Sequence, residues 1–452
     1  MSPPAPRVLL VNPWIHDFAA YDFWARPLGL LLLAAILRRH GYRVTYYDCL
    51  DRFHPRAAAT VSPGRQGRGP FLKTPIAKPP GLADVPRTFS RYGIPVAWLR
   101  EDLAAMPPPD LILVTGLMTY WASGVAETIA ELRHAFPGRP VVLGGIYPTL
   151  LPDHARAHAG ADRVVTGAGE KAVLGVAAEF TGHRPDPRFD PDDLDTHPLP
   201  ALDLQRRVPF IPLLTARGCP YRCTYCAAAI LAPVRQRRRP ELVFQEISHW
   251  HRRFGVRDVA FYDDALLVDA ETHALPLFER IAAAGLDLRL HTPNALHIGC
   301  IDHRVARAMH RAGMATVRLG LETTDFAHRD NLDAKVSAGQ FQHAVACLKD
   351  AGFTGEQIGA YLLVGLPGQS PEVVEAAIAA VRAAGVTPIP AYYSPIAGTR
   401  LWPAAKLSSR YDLEADPVFA NNAIWPCRPE GFSWSWLSRL KNLCATPALI
   451  PI

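Results

Sequence analysis

Three cysteines, Cys219, Cys223 and Cys226, follow an apolar run in the order C-x3-C-x2-C, and no other feature of the chain limits its fold as sharply. Thiolates at this spacing reach one metal centre from a single tight loop. Three ligands, one short of four, leave one iron of a 4Fe–4S cluster open to a small molecule. The same spacing also suits a structural zinc loop completed by a distant histidine, or three buried thiols. The flanks describe the setting: residues 211–216 read as a buried strand, and Arg217-Gly218 turns the chain sharply into the loop.

A chain of 452 residues has room for about three domains and more than one large core. Hydrophobic residues make up 49% and charged residues 20%, the balance of a globular protein. The opening MSPPAPRVLLVNP lacks the charged start and cleavable apolar stretch of a signal peptide. The longest apolar run, 28–37, falls short of the ~20 residues that span a bilayer. A cytoplasmic protein without a membrane partner is therefore expected. Cys49, Cys300, Cys347, Cys427 and Cys444 are scattered without metal-ligand spacing, so neither a disulfide framework nor a second cluster is expected.

The net charge of +6 is concentrated in residues 52–95, where Arg52, Arg56, Arg65, Arg68, Lys73, Lys78, Arg87 and Arg91 stand against Asp84 alone. This stretch is rich in proline and glycine. It reads as a long surface excursion, either a solvated loop or a flap over an anionic ligand. Its basic residues lack the interleaved aromatics that stack bases, so nucleic acid is not an expected partner.

Up to about residue 180, short apolar strands alternate with helical stretches. Strands are expected at 7–12, 43–48, 110–116, 141–144 and 163–166, with a buried helix at 28–40 closed by Gly41 and an amphipathic one at 124–136. The alternation implies an α/β, doubly wound, Rossmann-like parallel sheet whose ligands sit beyond the carboxyl ends of the strands. Gly116, Leu117, Gly144, Gly145, Tyr147 and Gly167 fall at those ends, where glycines permit sharp turns and close approach to a flat ligand.

After a linker at 181–205, rich in Pro and Asp, six further β/α units follow within 206–403. Their strands are expected at 211–216, 258–262, 288–291, 316–321, 359–365 and 387–392, and helices at 240–254, 269–284, 302–312, 337–351 and 370–384. This is the pattern of a partial (β/α)6 TIM-type barrel with its chemistry at the carboxyl ends of the strands. Those ends carry Asp263 and Asp264, either helix caps or ligand-facing acids, then His291 and Asn294, either substrate contacts or core and capping residues. Glu322, costly to bury unless hydrogen-bonded, follows on the fourth strand. The run from Arg235 to Arg239 reads as a solvated helix entry or an anion holder. Residues 404–452 are less periodic and aromatic-rich, and are expected to form a small cap or a pocket wall containing Cys427 and Cys444.

The segment TARGCPYRCTYCA, with Tyr225 before its last cysteine, resembles the cluster loop of the radical S-adenosylmethionine (AdoMet) superfamily. That resemblance implies that Cys219, Cys223 and Cys226 hold a 4Fe–4S cluster whose open iron chelates AdoMet. It also implies that Asp263, Glu322 with Thr323, and the turn Gly365-Leu366-Pro367 lie near AdoMet, the turn reading adenine through its backbone. NPW…RPLGLLLLAAILRRHGY, GGIYPTLLPD and VVTGAGE are similar to the cobalamin-binding domain that precedes the barrel in one branch of the superfamily. By that resemblance Gly116, Leu117, Gly144, Gly145, Tyr147 and Gly167 would line a corrin. The Asp-x-His-x-x-Gly element that supplies an axial histidine to cobalt is absent, and His16 has the wrong neighbours for it. Members of this branch commonly bind cobalamin without a protein histidine.

The implied activity is reductive cleavage of AdoMet to a 5′-deoxyadenosyl radical, followed by methyl transfer from cobalamin to an unactivated carbon of a small-molecule or natural-product substrate. An electron donor such as flavodoxin or ferredoxin would be required. A cyclase or rearrangement enzyme that does not use cobalamin as methyl donor is the alternative within the class. A non-catalytic cobalamin sensor or carrier, or a zinc-binding module, is the alternative outside it. No residue is assigned a catalytic role, and the substrate is not specified by the sequence.

Overall fold

The run Arg7–Asn12 is apolar on both faces, as a strand covered from both sides must be, and it lies inside a five-stranded parallel sheet. The sheet order is Arg43–Asp48, Arg7–Asn12, Leu111–Gly116, Val141–Gly145, Arg163–Val164. This is the 2-1-3-4-5 winding, with its topological switch point between the first and third strands. Alternate residues feed two cores: Leu9, Val11, Ile112 and Val114 pack with the helix Ala122–Ala135, and Val8, Leu10, Leu111 and Leu113 with the helices Leu28–Arg39 and Gly169–Thr181. The computed structural model describes residues 4–57, 65–326, 329, 332, 333, 335–428 and 432–445.

The chain divides into two compact units, one of residues 1–209 with 414–424 and the other of 210–413 with 425–452. The first unit departs from the sequence reading in three places. The basic excursion is built, not loose: Lys73–Pro75 and Ser90–Tyr92 form an antiparallel sheet with Ile15–Asp17. Arg52 is buried against Asp22 (3.1 Å), Arg56 pairs with Glu101 (2.7 Å) and Arg91 with Glu127, so much of the excess charge is spent on internal ion pairs. The expected linker is packed: Ala201 is fully buried and its N–H donates to Leu31 O (3.0 Å). Residues 414–424, expected in the cap, belong to this unit, where Asn421 Nδ2 donates to the buried Asp17 Oδ1 (2.9 Å). Residues 58–64 of the excursion and 446–452 of the cap lie outside the described residues.

In the second unit six parallel strands lie side by side in chain order: Ile211–Leu213, Asp258–Phe261, Arg289–His291, Met314–Glu322, Ile358–Val364 and Thr387–Tyr392. Helices Pro240–Phe254, Ala274–Ala284, His303–Arg311, Ala338–Asp350 and Pro371–Ala383 connect them, each within a few residues of its expected bounds. The first strand ends at Leu213, short of the expected 216, because the N–H groups of Thr215 and Ala216 turn aside to Asp263. Ala216–Arg217 then pairs antiparallel with Gln236–Arg237, which fixes the entry to the cysteine loop.

Candidate functional site

Gly218 opens the cysteine loop at φ +83°, and a side chain there would meet the backbone oxygens of Ala232 and Val234 at 3.0 and 3.2 Å. The loop is pinned from two sides: Thr224 N donates to Leu332 O (2.9 Å), and Leu401 N donates to Thr224 O (2.9 Å). Burial raises the pKa of all three thiols, that of Cys223 to about 11, so at neutral pH iron must displace their protons. The donor set fits an iron–sulfur cluster: three soft ligands on one short, braced loop, one fewer than a closed site. Among the described residues no group of three or more His, Cys, Asp or Glu converges on a single ion. A cluster spreads its thiolates over different irons and needs no such convergence.

Beside the thiols lies a charge network that the sequence reading missed. Lys335 Nζ is 2.9 Å from Glu322 Oε1 and donates to the Tyr225 hydroxyl at 3.2 Å, with Asp333 at 3.8 Å. Burial works to lower the pKa of Lys335, but Glu322 and Cys223 outweigh it and the net shift is upward, so the ammonium is retained. Glu322 ends its strand at φ +64°, a strained conformation for a residue with a side chain, held in place by this pairing. Nothing in the spacing of Lys335 distinguishes it, because its partners are set by the barrel and not by local sequence.

Asp263 differs from its expected role. It is buried, and its carboxylate accepts from Thr215 Oγ1 (2.6 Å), Thr215 N and Ala216 N (2.6 Å). Burial still prevails over these bonds and raises its pKa to about 6. Its oxygens are consumed by the strand that leads into the cysteine loop, so it braces that loop and does not face AdoMet. On the other side of Thr215, His273 Nε2 lies 2.7 Å from Oγ1, its pKa pushed down to about 4, chiefly by burial. His291 is likewise a core residue, with Thr316 Oγ1 at 3.1 Å and Asp258 Oδ1 at 2.9 Å, and Asn294 Nδ2 donates to Tyr262 O (2.9 Å). In the basic run, Arg235 and Arg237 pair with Asp269, and Arg238 with Glu246, so these side chains hold the fold together.

Gly365, at φ +89°, makes the turn after the fifth barrel strand. Its N–H and that of Leu366 both donate to Gln369 Oε1 (2.8 and 3.3 Å), while Gln369 Nε2 donates to Leu363 O (2.9 Å). Leu366 O in turn accepts from Gln369 N (3.1 Å), so the turn is tied at both amides and at one carbonyl, and Pro367 keeps it stiff. Trp425 packs 3.2 Å from a Cβ placed on Gly365 and sits within an aromatic group with Tyr392, Phe432 and Trp436. The expected cap therefore contributes a wall to this turn.

In the first unit, Leu117 lines an apolar cavity of about 570 Å³ at the sheet's switch point, together with Asn12, Phe18, Leu50, Tyr92 and Trp121. Gly144 and Gly167 leave room above the strand ends: a Cβ at Gly144 meets nothing closer than 3.9 Å and one at Gly167 nothing within 4 Å. Gly116, Gly145 and Tyr147 do something different. Tyr147 is fully buried, its ring 3.0 Å from a Cβ built on Gly116, and a Cβ on Gly145 would lie 2.6 Å from Gly116 O. These three interlock beneath the turn and shape it from below. The apolar cavity and the open glycine edge fit part of a large flat ligand. His16 is committed elsewhere, with Nδ1 3.1 Å from Ser123 Oγ and Nε2 2.7 Å from Glu127.

Comparison with known proteins agrees with this geometry. The Radical SAM superfamily profile matches residues 213–381, and the B12 binding domain profile matches residues 101–177. An uncharacterized methyltransferase, PH0819, of Pyrococcus horikoshii is 26% identical over 65% of this chain and 69% of its own length. The hopanoid C-3 methylase of Methylococcus capsulatus is 25% identical over 77% of this chain, which spans 63% of that protein. Among solved structures, the radical S-adenosylmethionine methyltransferase TsrM of Kitasatospora setae superposes with a TM-score of 0.66 at 19% identity, covering 89% of this chain and 76% of TsrM.

Proposed function

This chain belongs to the radical AdoMet enzymes that carry a cobalamin-binding domain, and from that membership we propose that it transfers a methyl group from cobalamin to an unactivated carbon of a small-molecule or natural-product substrate. The observation that carries the proposal is the three-thiol loop at the carboxyl end of a parallel barrel, on the same chain as a 2-1-3-4-5 sheet with an apolar cavity at its switch point. When bound, the cluster supplies the electron that splits AdoMet's sulfonium bond, and cobalamin supplies the methyl group.

The protein's own residues hold and exclude. Cys219, Cys223 and Cys226 would bind the cluster, with Lys335 offsetting the charge of Glu322 and of the thiolates beside it. The Gly365 carbonyl would accept from adenine, and Asp263 would keep the loop entry rigid through Thr215. Leu117, Gly144 and Gly167 would meet the corrin, with Gly116, Gly145 and Tyr147 setting the turn under it. We assign electron supply to a flavodoxin or ferredoxin, and the reaction to the cytoplasm without nucleic acid. No helix of the described residues is long and apolar enough to cross a membrane.

The test begins with metal content after anaerobic purification from cells supplied with cobalamin. About four irons and one cobalt per chain are expected. AdoMet labelled in its methyl group, added with a reductant, should then pass label to the bound cobalamin and release 5′-deoxyadenosine. Iron without cobalt overturns methyl transfer and leaves the cyclase or rearrangement reading. Cobalt without iron leaves a sensor or carrier, and a colourless zinc protein overturns radical chemistry altogether.

A further inference from the structure

Resting on the cluster reading above, we infer that His297 is a positioning residue that sets the cluster's reduction potential by donating a hydrogen bond from Nε2 to the sulfur of Cys219. The two atoms lie 3.5 Å apart, within reach of an N–H···S bond. The imidazole is 8% exposed and cannot readily swing away. Its ring packs tilted against Tyr221, a residue of the cysteine loop itself, with centroids 4.4 Å apart and 49° between the planes. Its backbone is fixed to the barrel through the preceding residue, because Leu296 N donates to Arg318 O (2.7 Å) and Leu296 O accepts from Gly320 N (3.1 Å). The carbonyl of His297 accepts from Cys300 N (3.0 Å), closing a short helical turn behind the ring.

The chemistry of the pair follows from what a cluster ligand is. An iron-bound thiolate has lone pairs and no proton, so it can only accept, and the nitrogen facing it must carry the hydrogen. Reducing the cluster adds negative charge that spreads onto its sulfurs. A hydrogen bond to one of them stabilises the reduced form more than the oxidised form, which raises the potential. Because Tyr221 lies between Cys219 and Cys223 in the loop, this ring contact also couples the imidazole's position to the spacing of the thiols. A histidine completing a zinc site with Cys219 is the competing use of the same contact. It would need the other thiols to converge on that ion, and among the described residues they do not.

The test compares full-length wild type, His297→Phe and His297→Gln, each reconstituted anaerobically with iron and sulfide. Phenylalanine keeps a flat ring for Tyr221 without a donor, and glutamine restores an N–H at similar reach. Iron per chain is measured, and the midpoint potential is read by redox titration of the reduced cluster's electron paramagnetic resonance signal. All three chains should hold the same iron. His297→Phe should titrate at a more negative potential than wild type by more than the spread between replicates, and His297→Gln should return toward wild type. An unshifted midpoint in a fully loaded His297→Phe chain overturns the hydrogen bond and leaves the cluster reading standing. Loss of iron in both variants shows the ring to be purely structural and also overturns the inference. A wild-type chain that takes up zinc in place of iron, or no iron, refutes the cluster reading itself.

Discussion

Replacing Lys335 with methionine should cost the folded chain about 3–5 kcal/mol, and removing the charge of Glu322 as well should return most of that loss. The two side chains are 6% and 8% exposed and 2.9 Å apart. Asp333 cannot take over as partner for Glu322, since it is itself an anion, held by Arg329 at 2.7 and 3.0 Å. At an effective dielectric near 20 the Lys335–Glu322 attraction is of the order of 6 kcal/mol before desolvation. The orphaned carboxylate has one escape, which is to bind a proton. At pH 7 that costs an ordinary glutamate about 4 kcal/mol, so protonation caps the penalty within the expected range. The loss in Lys335→Met should therefore shrink as pH falls from 7 to 5, where protonation is cheaper. Urea unfolding of the metal-free chain, followed by tryptophan fluorescence, measures Lys335→Met, Glu322→Gln and the double variant. The double variant should lie within about 1 kcal/mol of wild type, since an uncharged pair of similar volume leaves no buried charge. A Lys335→Met cost below about 1 kcal/mol, or a double variant no more stable than Lys335→Met, would refute the reasoning.

Cys223→Ala should abolish cluster loading and AdoMet cleavage together; a variant that still releases 5′-deoxyadenosine removes Cys223 from the cluster. Gly145→Ala forces a side chain at φ +102° to within 2.6 Å of Gly116 O. It should destabilise the first unit by more than about 1 kcal/mol and lower cobalt content per chain, while iron content stays unchanged. Asp263 and His273 oppose one another in pH dependence. Between pH 4 and 6 the folded chain keeps a proton on Asp263, with its pKa raised to about 6, and the unfolded chain keeps one on His273, whose pKa falls from 6.5 to about 4 on folding, so the pair is nearly silent. Asp263→Asn uncovers His273, and stability should fall by about 3 kcal/mol as pH drops from 6.5 to about 4. His273→Gln uncovers Asp263, and stability should instead fall as pH rises from 3.8 to about 6. Urea midpoints across that range check both slopes.

The elements themselves were legible because their signals are local. The helix Pro240–Phe254 has a proline at its start, apolar residues at helical spacing and Gly255 in the left-handed region at its end, and it runs over the expected residues. The strands were equally plain where both faces are apolar, as in Arg7–Asn12. The boundaries slipped where a distant group competes for the backbone. Nothing within residues 211–216 says that the first barrel strand must stop at Leu213, because the acid that draws off the next amides is Asp263, 48 positions beyond Thr215. The contacts of the basic excursion are hidden in the sequence for the same reason. Its arginines look solvated until Asp22, Glu101 and Glu127 are placed beside them.

The site divides along the same line. A metal-binding loop must bring its thiols together over a few residues, so Cys219, Cys223 and Cys226 are visible in a row. The groups that tune such a loop have no such constraint, since any element packed against it will serve. Lys335 comes from beyond the fourth strand and His297 from beyond the third, and each reaches the loop only because the parallel barrel sets consecutive strand ends side by side. Asp263 shows the converse. An acid at a strand end in a barrel mouth looks like a ligand contact in sequence, yet the short first strand leaves two amides to be met, and the carboxylate goes to them and to the Thr215 hydroxyl. Unmet backbone donors near a site thus compete with the ligand for its polar side chains, and here they win because Thr215 and Ala216 are buried away from water.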